Sequence, residues 1–305
     1  MLSCDLYLMP ETLEEAFDLF EAHDGSYRIV AGATDILPWA RDGRAGDVHY
    51  PVLVDISRIP DLTGFRELTG GRVRLGAATP FQRFLTEDAL KRHLPVMPHV
   101  AVWFADDQIR ESATLGGNIV NASPAADGTP PVIALNGTME LASREGGVRR
   151  MPITEFVTGP GRTQIAKGEL LVAIECDSAA GYGAAFEKVG HRRSLVISTV
   201  CVAALVKLDA AMATVEDIRL SLAGVGPVPV RLAECEALLK GRAPDAALVE
   251  QAASLPVDRV QSRTRQAYRR EVVRNFVYRG IADALADAGL AIDRDATPLK
   301  EAANG

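Results

Sequence analysis

The sequence predicts an α+β fold, in which strands and helices follow one another without regular βαβ alternation. Helical periodicity marks residues 12–25 near the start and 263–288 near the end of the chain. Short alternating or wholly apolar runs, typical of strands, lie between these two stretches. With 305 residues, the chain can form one large or two to three small units, each with its own core.

The first half of the chain begins with a predicted helix. Thr12 and Glu15 form a capping-box pair, and the apolar residues that follow recur at helical spacing. Further helices are expected from Asp35, over 81–94, around 100–105 and from Pro130, which suits a first helical turn. A loop of small residues is expected over 112–129. Strands are expected at 27–31, 51–56, 73–77, 139–148 (a hairpin that turns at 145–147) and 170–176.

The second half begins after a small-residue linker near 178–183. Three strands are expected there, followed by helices, so this part should pack a three-stranded sheet against helices. The expected strands are 184–189, 196–208 and 215–223, and the expected helices are 231–239, 246–254 and 263–288.

Composition excludes several classes of function. The net charge of −7 and pI near 5.4 argue against a nucleic-acid partner, which needs a concentrated basic face. No run approaches the roughly 20 apolar residues that span a bilayer, and the first residues lack signal-peptide character, so a cytoplasmic protein is expected. The histidines show no metal spacing and the four cysteines no close pair. No serine or cysteine has a recognisable base nearby, so neither a catalytic residue nor a metal site is predicted.

Two loops of small residues are the candidate functional sites. The first, 30–35, lies between a predicted strand and a predicted helix. The second runs through Gly116 and Gly117 to Asp127. Small side chains let the backbone approach a ligand closely, and N–H groups at a helix start favour an anion such as a diphosphate. Asp127 could accept a hydrogen bond from a ribose hydroxyl. The alternative is that both loops are ordinary tight turns, since no Walker-type motif accompanies them.

At these loops the sequence resembles the FAD-binding subunit of the molybdenum hydroxylases, the family of xanthine dehydrogenase and carbon monoxide dehydrogenase. The most specific segment is the double-glycine loop and its continuation Asn118-(x)4-Ser123-Pro124-(x)2-Asp127. The similarity follows in order along nearly the whole chain. The segments that carry it are 28–36, 103–118 with 122–127, 170–174, 186–188 with Arg192-Arg193, and 263–269 leading into the last helix.

The resemblance implies a vanillyl-alcohol-oxidase-type fold. Two small subdomains, 1–56 and 57–177, would clamp an extended, non-covalently bound FAD, and 181–290 would form a C-terminal domain before a tail, 291–305. The first loop would hold the diphosphate through its peptide N–H groups and the second would complete the cradle. Phe104 would lie beside the isoalloxazine ring, unless it belongs to the core. The implied FAD contacts are Ile29, Val30, Ala31, Gly32, Ala33, Thr34, Asp35, Ile36, Phe104, Thr114, Leu115, Gly116, Gly117, Asn118, Ser123, Asp127, Leu171 and Lys188.

Besides Phe104, two of these contacts have structural alternatives, and two positions depart from the family pattern. Lys188 could be a solvated surface lysine, and Leu171 a core strand residue with only its backbone near the adenine. Ala33 stands where the family usually has glycine, and an alanine there is expected to keep φ below zero. Glu111-Ser112 replaces an asparagine-containing pair, which removes its hydrogen bonds near the flavin.

The resemblance also implies partners. A large subunit would carry the molybdenum cofactor and oxidise the substrate, and a small subunit with two [2Fe–2S] clusters would pass electrons to the flavin. The acceptor would be NAD+ or another molecule, and the assembly a dimer of heterotrimers. Two alternatives stay open: a stand-alone FAD-dependent oxidase, which would turn over without partners, and a flavin-free assembly scaffold, which would be colourless.

Overall fold

The computed structural model describes residues 1–41, 48–191, 196–261 and 264–293, and it confirms the α+β class. Its helices and strands are mixed in order along the chain, as the sequence predicts. Arg192-Arg193, Arg263 and most of the expected tail, 294–305, lie outside the described residues. No helix in the described ranges combines the length and apolar character needed to cross a membrane.

The N-terminal part is a parallel three-stranded sheet in the order β1-β3-β2. Thr12 caps the first helix as predicted, because its side chain accepts the Glu15 N–H at 3.1 Å. Strand β1 is not among the predicted strands. It is an edge strand whose side chains are mostly exposed, including the apolar Leu6 and Tyr7. The elements are β1 (Leu2–Leu8), α1 (Leu13–Ala22), β2 (Tyr27–Val30), α2 (Ile36–Arg41) and β3 (Val48–Asp55).

The middle part is a five-stranded antiparallel sheet in the order β4-β5-β10-β6-β7, with short helices packed beside it. The predicted hairpin is confirmed as β6 and β7. The strands are β4 (Phe65–Leu68), β5 (Arg72–Gly76), β6 (Thr138–Ser143), β7 (Gly147–Pro152) and β10 (Leu170–Asp177), with the separate pair β8 (Val157–Gly159) and β9 (Arg162–Thr163). The helices are α3 (Arg83–Thr86), α4 (Asp88–His93), α5 (Val96–Trp103), α6 (Asp107–Ser112), α7 (Leu115–Val120), α8 (Thr129–Ala134) and α9 (Ile153–Phe156).

Two predictions for this middle part are wrong in detail. The single helix expected over 81–94 is two helices, because Glu87 between them is extended (φ −99°, ψ 116°). The loop expected over 112–129 contains α7. Gly116 and Gly117 lower helix propensity there, but a side-chain cap from Thr114 and contacts with the rest of the fold outweigh that cost.

The C-terminal part is a four-stranded antiparallel sheet rather than the predicted three-stranded one. The added strand has only two residues, Val230 and Arg231, which pair with Leu222 and Ser221 and are too few to show a periodicity. The elements are β11 (Gly183–Val189), β12 (Val200–Leu208), β13 (Val215–Ala223), β14 (Val230–Arg231), α10 (Ala233–Leu239), α11 (Ala246–Ser254) and α12 (Gln266–Asp287).

The core is continuous between the middle and C-terminal parts. One buried cluster joins Leu75 and Leu115 of the middle part to Phe186 and Leu205 of the C-terminal sheet. A second cluster lies between that sheet and helix α12. The shared core fixes the C-terminal sheet beside the double-glycine loop.

Candidate functional site

The first small-residue loop presents unpaired peptide N–H groups. Ile29 and Val30 end strand β2, and the chain turns through 31–35 into helix α2. No N–H group from Gly32 to Ile36 donates a hydrogen bond to an acceptor in the described part of the chain. Five successive donors at the start of a helix form a site to which an anion can bind without a lysine or arginine.

The first loop adopts a backbone that the sequence did not predict. Ala33 has φ 53°, in the left-handed region, so the expectation of a negative φ at this position is wrong. The family's usual glycine would adopt this conformation freely, whereas alanine adopts it with strain of about 1–2 kcal/mol. The loop therefore keeps the glycine-type conformation without the glycine.

The two loops lie against each other. A Cβ placed on Gly32 would lie 1.9 Å from the Ser112 carbonyl oxygen, so only glycine allows this approach. Nearby, the Asn121 side-chain amide donates to the Asp35 carboxylate at 2.8 Å. Burial raises the pKa of Asp35, because the packed loops remove part of its solvent. The loops thus form one continuous surface, as a clamp around an extended cofactor requires.

The second loop differs from the first, because its peptide N–H groups are already used. Each N–H from Leu115 to Asn118 donates inside the protein, so these peptide groups are not available to complete the predicted cradle. The donor–acceptor pairs are Leu115 to Thr79 O at 3.0 Å, Gly116 to Ala77 O at 2.8 Å, Gly117 to Thr114 Oγ1 at 3.1 Å and Asn118 to Thr114 O at 3.0 Å. Glycine is needed here for close packing, because a Cβ on Gly116 would lie only 2.5 Å from the Ala77 carbonyl oxygen.

Side chains are therefore the donors that the second loop can offer. The Thr114 hydroxyl oxygen accepts from Gly117 and retains its own proton for donation. The Asn118 Oδ1 atom accepts the Gly128 N–H at 2.9 Å, and the amide NH2 group, which can donate, has no acceptor among the residues that the structure describes. Ser123 has the same arrangement, with its Oγ accepting from Ala125 at 3.3 Å.

Asp127 and Lys188 form a buried ion pair between the second loop and strand β11. The Lys188 Nζ atom lies 2.5 Å from one carboxylate oxygen, and the Ser198 hydroxyl donates to the other at 2.5 Å. The side chains of Asp127 and Lys188 are only 8% and 4% exposed. Burial raises the pKa of Asp127, and Lys188 and Ser198 oppose this rise. Lys188 is thus not a solvated surface residue, and Asp127 already has a partner on each oxygen.

Phe104 and Leu171 both belong in part to the core. The Phe104 ring is half-buried and stacks on Phe81, with centroids 3.9 Å apart and planes 5° from parallel. Leu171 is 3% exposed on strand β10 and pairs with Leu141, so its side chain is a core residue. A flavin ring beside Phe104, and an adenine beside the Leu171 backbone, stay predictions.

Family comparisons agree with this geometry. Residues 2–176 match the model of the FAD binding domain in molybdopterin dehydrogenase, which includes both loops. Residues 184–284 match the CO dehydrogenase flavoprotein C-terminal domain. The chain belongs to the FAD-binding subunit family of the molybdenum hydroxylases. It is accordingly an oxidoreductase subunit with FAD as its cofactor.

Individual members of the family match over nearly the full chain. The glyceraldehyde dehydrogenase medium chain of Sulfolobus acidocaldarius is 33% identical over 88% of this chain and 94% of its own length. A putative xanthine dehydrogenase FAD-binding subunit of Escherichia coli is 29% identical over 93% of this chain and 97% of its own. A carbon monoxide dehydrogenase structure from Hydrogenophaga pseudoflava matches with a TM-score of 0.84 and 28% identity, covering 92% of this chain and 97% of that one.

Four residues of the site were missed by sequence reasoning. Ser112 and Asn121 bring the two loops together, and both lie inside or next to the family segment, so the loop pattern could have indicated them. Ser198 lies 71 residues from its partner Asp127, and Gly224 donates its N–H to the Pro124 carbonyl at 2.9 Å. Both contacts come from the C-terminal part of the fold, and no local sequence pattern predicts them.

Proposed function

We propose that this chain is the electron-transfer subunit of a three-subunit molybdenum hydroxylase. A large partner would carry the molybdenum cofactor, and a small partner would carry two [2Fe–2S] clusters that supply electrons. The chain would pass these electrons to NAD+ or another acceptor, in a cytoplasmic dimer of heterotrimers. The observation that supports the proposal most directly is the joined pair of loops, in which the five N–H groups from Gly32 to Ile36 have no acceptor among the described residues.

The residues present fit FAD. The N–H groups of Gly32 to Ile36 would hold the diphosphate, and the Thr114, Asn118 and Ser123 side chains would donate from the facing loop. When bound, FAD accepts electrons singly or in pairs and passes them on, so it couples one-electron clusters to a two-electron acceptor. The proton that FAD would take up on two-electron reduction can come from solvent, so the proposal requires no acid–base side chain on this chain.

The buried ion pair would contribute electrostatics at the flavin. Lys188 is held by Asp127, and its Nζ atom also lies 3.4 Å from the Trp103 carbonyl oxygen, next to Phe104. The two charges of this pair, fixed in direction and with little water around them, would act more strongly on a neighbouring ring than an exposed pair could. Asp127 would therefore act mainly by orienting Lys188, and a contact with the ribose would be a second role.

A spectrum of the purified full chain tests FAD binding directly. We expect flavin absorption bands and, after denaturation, release of free FAD that is identified by chromatography. Co-expression with neighbouring molybdenum and iron–sulfur subunits should yield a complex that oxidises an organic substrate, whereas the chain alone should not. A colourless chain that cannot be reconstituted with FAD would support the scaffold alternative, and turnover without partners would support the stand-alone oxidase.

The electron acceptor needs a separate experiment. If NAD+ is the acceptor, the reverse reaction should occur on the isolated FAD-loaded chain, with NADH reducing a dye such as dichlorophenolindophenol. Bleaching of the flavin bands by NADH under anaerobic conditions would report the same step without the dye. Failure of NADH to bleach a flavin that dithionite reduces readily would exclude NAD+ and leave the rest of the proposal in place.

A further inference from the structure

Arg269, in the first turn of helix α12, binds two backbone carbonyl groups near the proposed flavin site. One guanidinium nitrogen, Nη1, donates to the carbonyl oxygens of Thr199 and Gly224, each at 2.5 Å. Its Nε atom is buried and has no hydrogen-bond partner among the described residues. The positive charge of Arg269 therefore interacts with two peptide oxygens, which indicates a structural role for this side chain.

The two carbonyl groups belong to the segments that anchor the flavin site. Thr199 directly follows Ser198, whose hydroxyl donates to Asp127. Gly224 donates its N–H to the Pro124 carbonyl of the second loop at 2.9 Å. Arg269 therefore acts on two of the attachments between the C-terminal part and the second loop, beside the Asp127–Lys188 ion pair.

These two segments touch each other at the Arg269 guanidinium. Gly224 has φ 83°, and a Cβ there would lie 2.5 Å from the Thr199 carbonyl oxygen. Two carbonyl oxygens directed at one point repel, and Thr199 is only 6% exposed, so water can replace little of the lost interaction. A cation that accepts both oxygens removes this repulsion, because charge-assisted hydrogen bonds are about twice as strong as neutral ones.

We propose that Arg269 is a positioning residue for the flavin site. By holding the Thr199 and Gly224 carbonyl groups together, it fixes Ser198 against Asp127 and the Gly224 N–H against Pro124, and so keeps the second loop and Lys188 in place. The inference rests on the proposed function, since the loop positioned in this way is the one that would contact FAD.

Binding of FAD to apo-protein variants tests the proposal. The Arg269→Ala variant should bind FAD about ten- to a hundredfold more weakly, the range typical of lost supporting contacts around a site. Guanidinium ion at non-denaturing millimolar concentration should restore most of the affinity, while sodium chloride at equal ionic strength should not. The FAD affinity of Arg269→Lys should lie between those of the wild type and Arg269→Ala, because an ammonium group keeps the charge but lacks the planar fork of a guanidinium group. The matched control is Arg270→Ala, at the exposed neighbouring position of the same helix, which should bind like the wild type.

Amide hydrogen exchange on the apo chain separates this inference from the proposed function. In the wild type the Gly224 amide should be protected by its bond to Pro124, and Arg269→Ala should lose that protection whether or not FAD binds. Equal Gly224 protection in both proteins, or weakened FAD binding that guanidinium does not restore, would overturn the positioning role. Failure of the wild type to bind FAD would refute the proposed function and leave the exchange result interpretable.

Discussion

Replacement of Gly32 by alanine is the sharpest test of the joined loops. The new Cβ would lie 1.9 Å from the Ser112 carbonyl oxygen, 2.5 Å from its carbon and 3.0 Å from the Ala113 nitrogen. A carbon and an oxygen without a covalent bond approach to about 3.3 Å, so the loops must separate by roughly 1.4 Å. All three obstructing atoms are backbone, so no side-chain rotation can relieve the clash.

The expected loss of FAD affinity follows from this separation. Overpacking of this kind costs about 1–3 kcal/mol. If that cost falls on the bound state, in which the loops must face each other, FAD binding weakens about 5- to 150-fold, since 1.4 kcal/mol corresponds to a factor of ten. Folding itself should persist, because Gly32 and Ser112, which make the closest clash, belong to neither large core cluster, and only the edge of one cluster, at Ala113, is touched.

Fluorescence titration of apo-protein with FAD measures the effect, and thermal unfolding shows that the variant is folded. Gly64→Ala is the matched control, since a Cβ there meets no heavy atom within 4 Å and should leave FAD affinity unchanged. A folded Gly32→Ala variant that binds FAD within about twofold of the wild type, a difference under 0.5 kcal/mol, would show that contact between the loops does not determine the affinity.

Three further predictions follow from the same site. Ala33→Gly should stabilise the protein by about 0.5–1 kcal/mol in urea unfolding, because it relieves the left-handed strain but adds glycine entropy; destabilisation would contradict that balance. Burial raises the pKa of Asp35, so its carboxyl group stays neutral to a higher pH than usual, and once ionised it repels a bound diphosphate. FAD affinity should therefore fall as pH rises through the Asp35 titration, and Asp35→Asn should abolish that dependence; an unchanged pH profile would exclude Asp35. Lys188→Met should destabilise the chain by about 3–5 kcal/mol by leaving the Asp127 carboxylate buried and unpaired, and adding Asp127→Asn should recover much of the loss; additive losses in this double-mutant cycle would argue against coupling.

The elements that were predicted well have a local cause. Thr12 with Glu15 begins a helix through contacts three residues apart, and Pro130 suits a first turn by its own ring geometry. The hairpin of β6 and β7 depends on alternation around a glycine turn. Strand β14 was not predicted, because two residues are too few to show a periodicity. Helix α7 was not predicted, because its two glycines lower the helix propensity of a segment that tertiary contacts stabilise.

The sequence by itself determined the fold class, the family and the two loops, since backbone flexibility, small side chains and local periodicity are properties of neighbouring residues. Only the tertiary structure decided how the loops work. In the first, the N–H groups of Gly32 to Ile36 have no acceptor within the described ranges, whereas the second donates its N–H groups to Thr79, Ala77 and Thr114. Likewise, Asp127 meets a lysine 61 residues away in the chain. Hydrogen-bond partners and burial depend on which distant segments pack together, and that information is not present in any local run of residues.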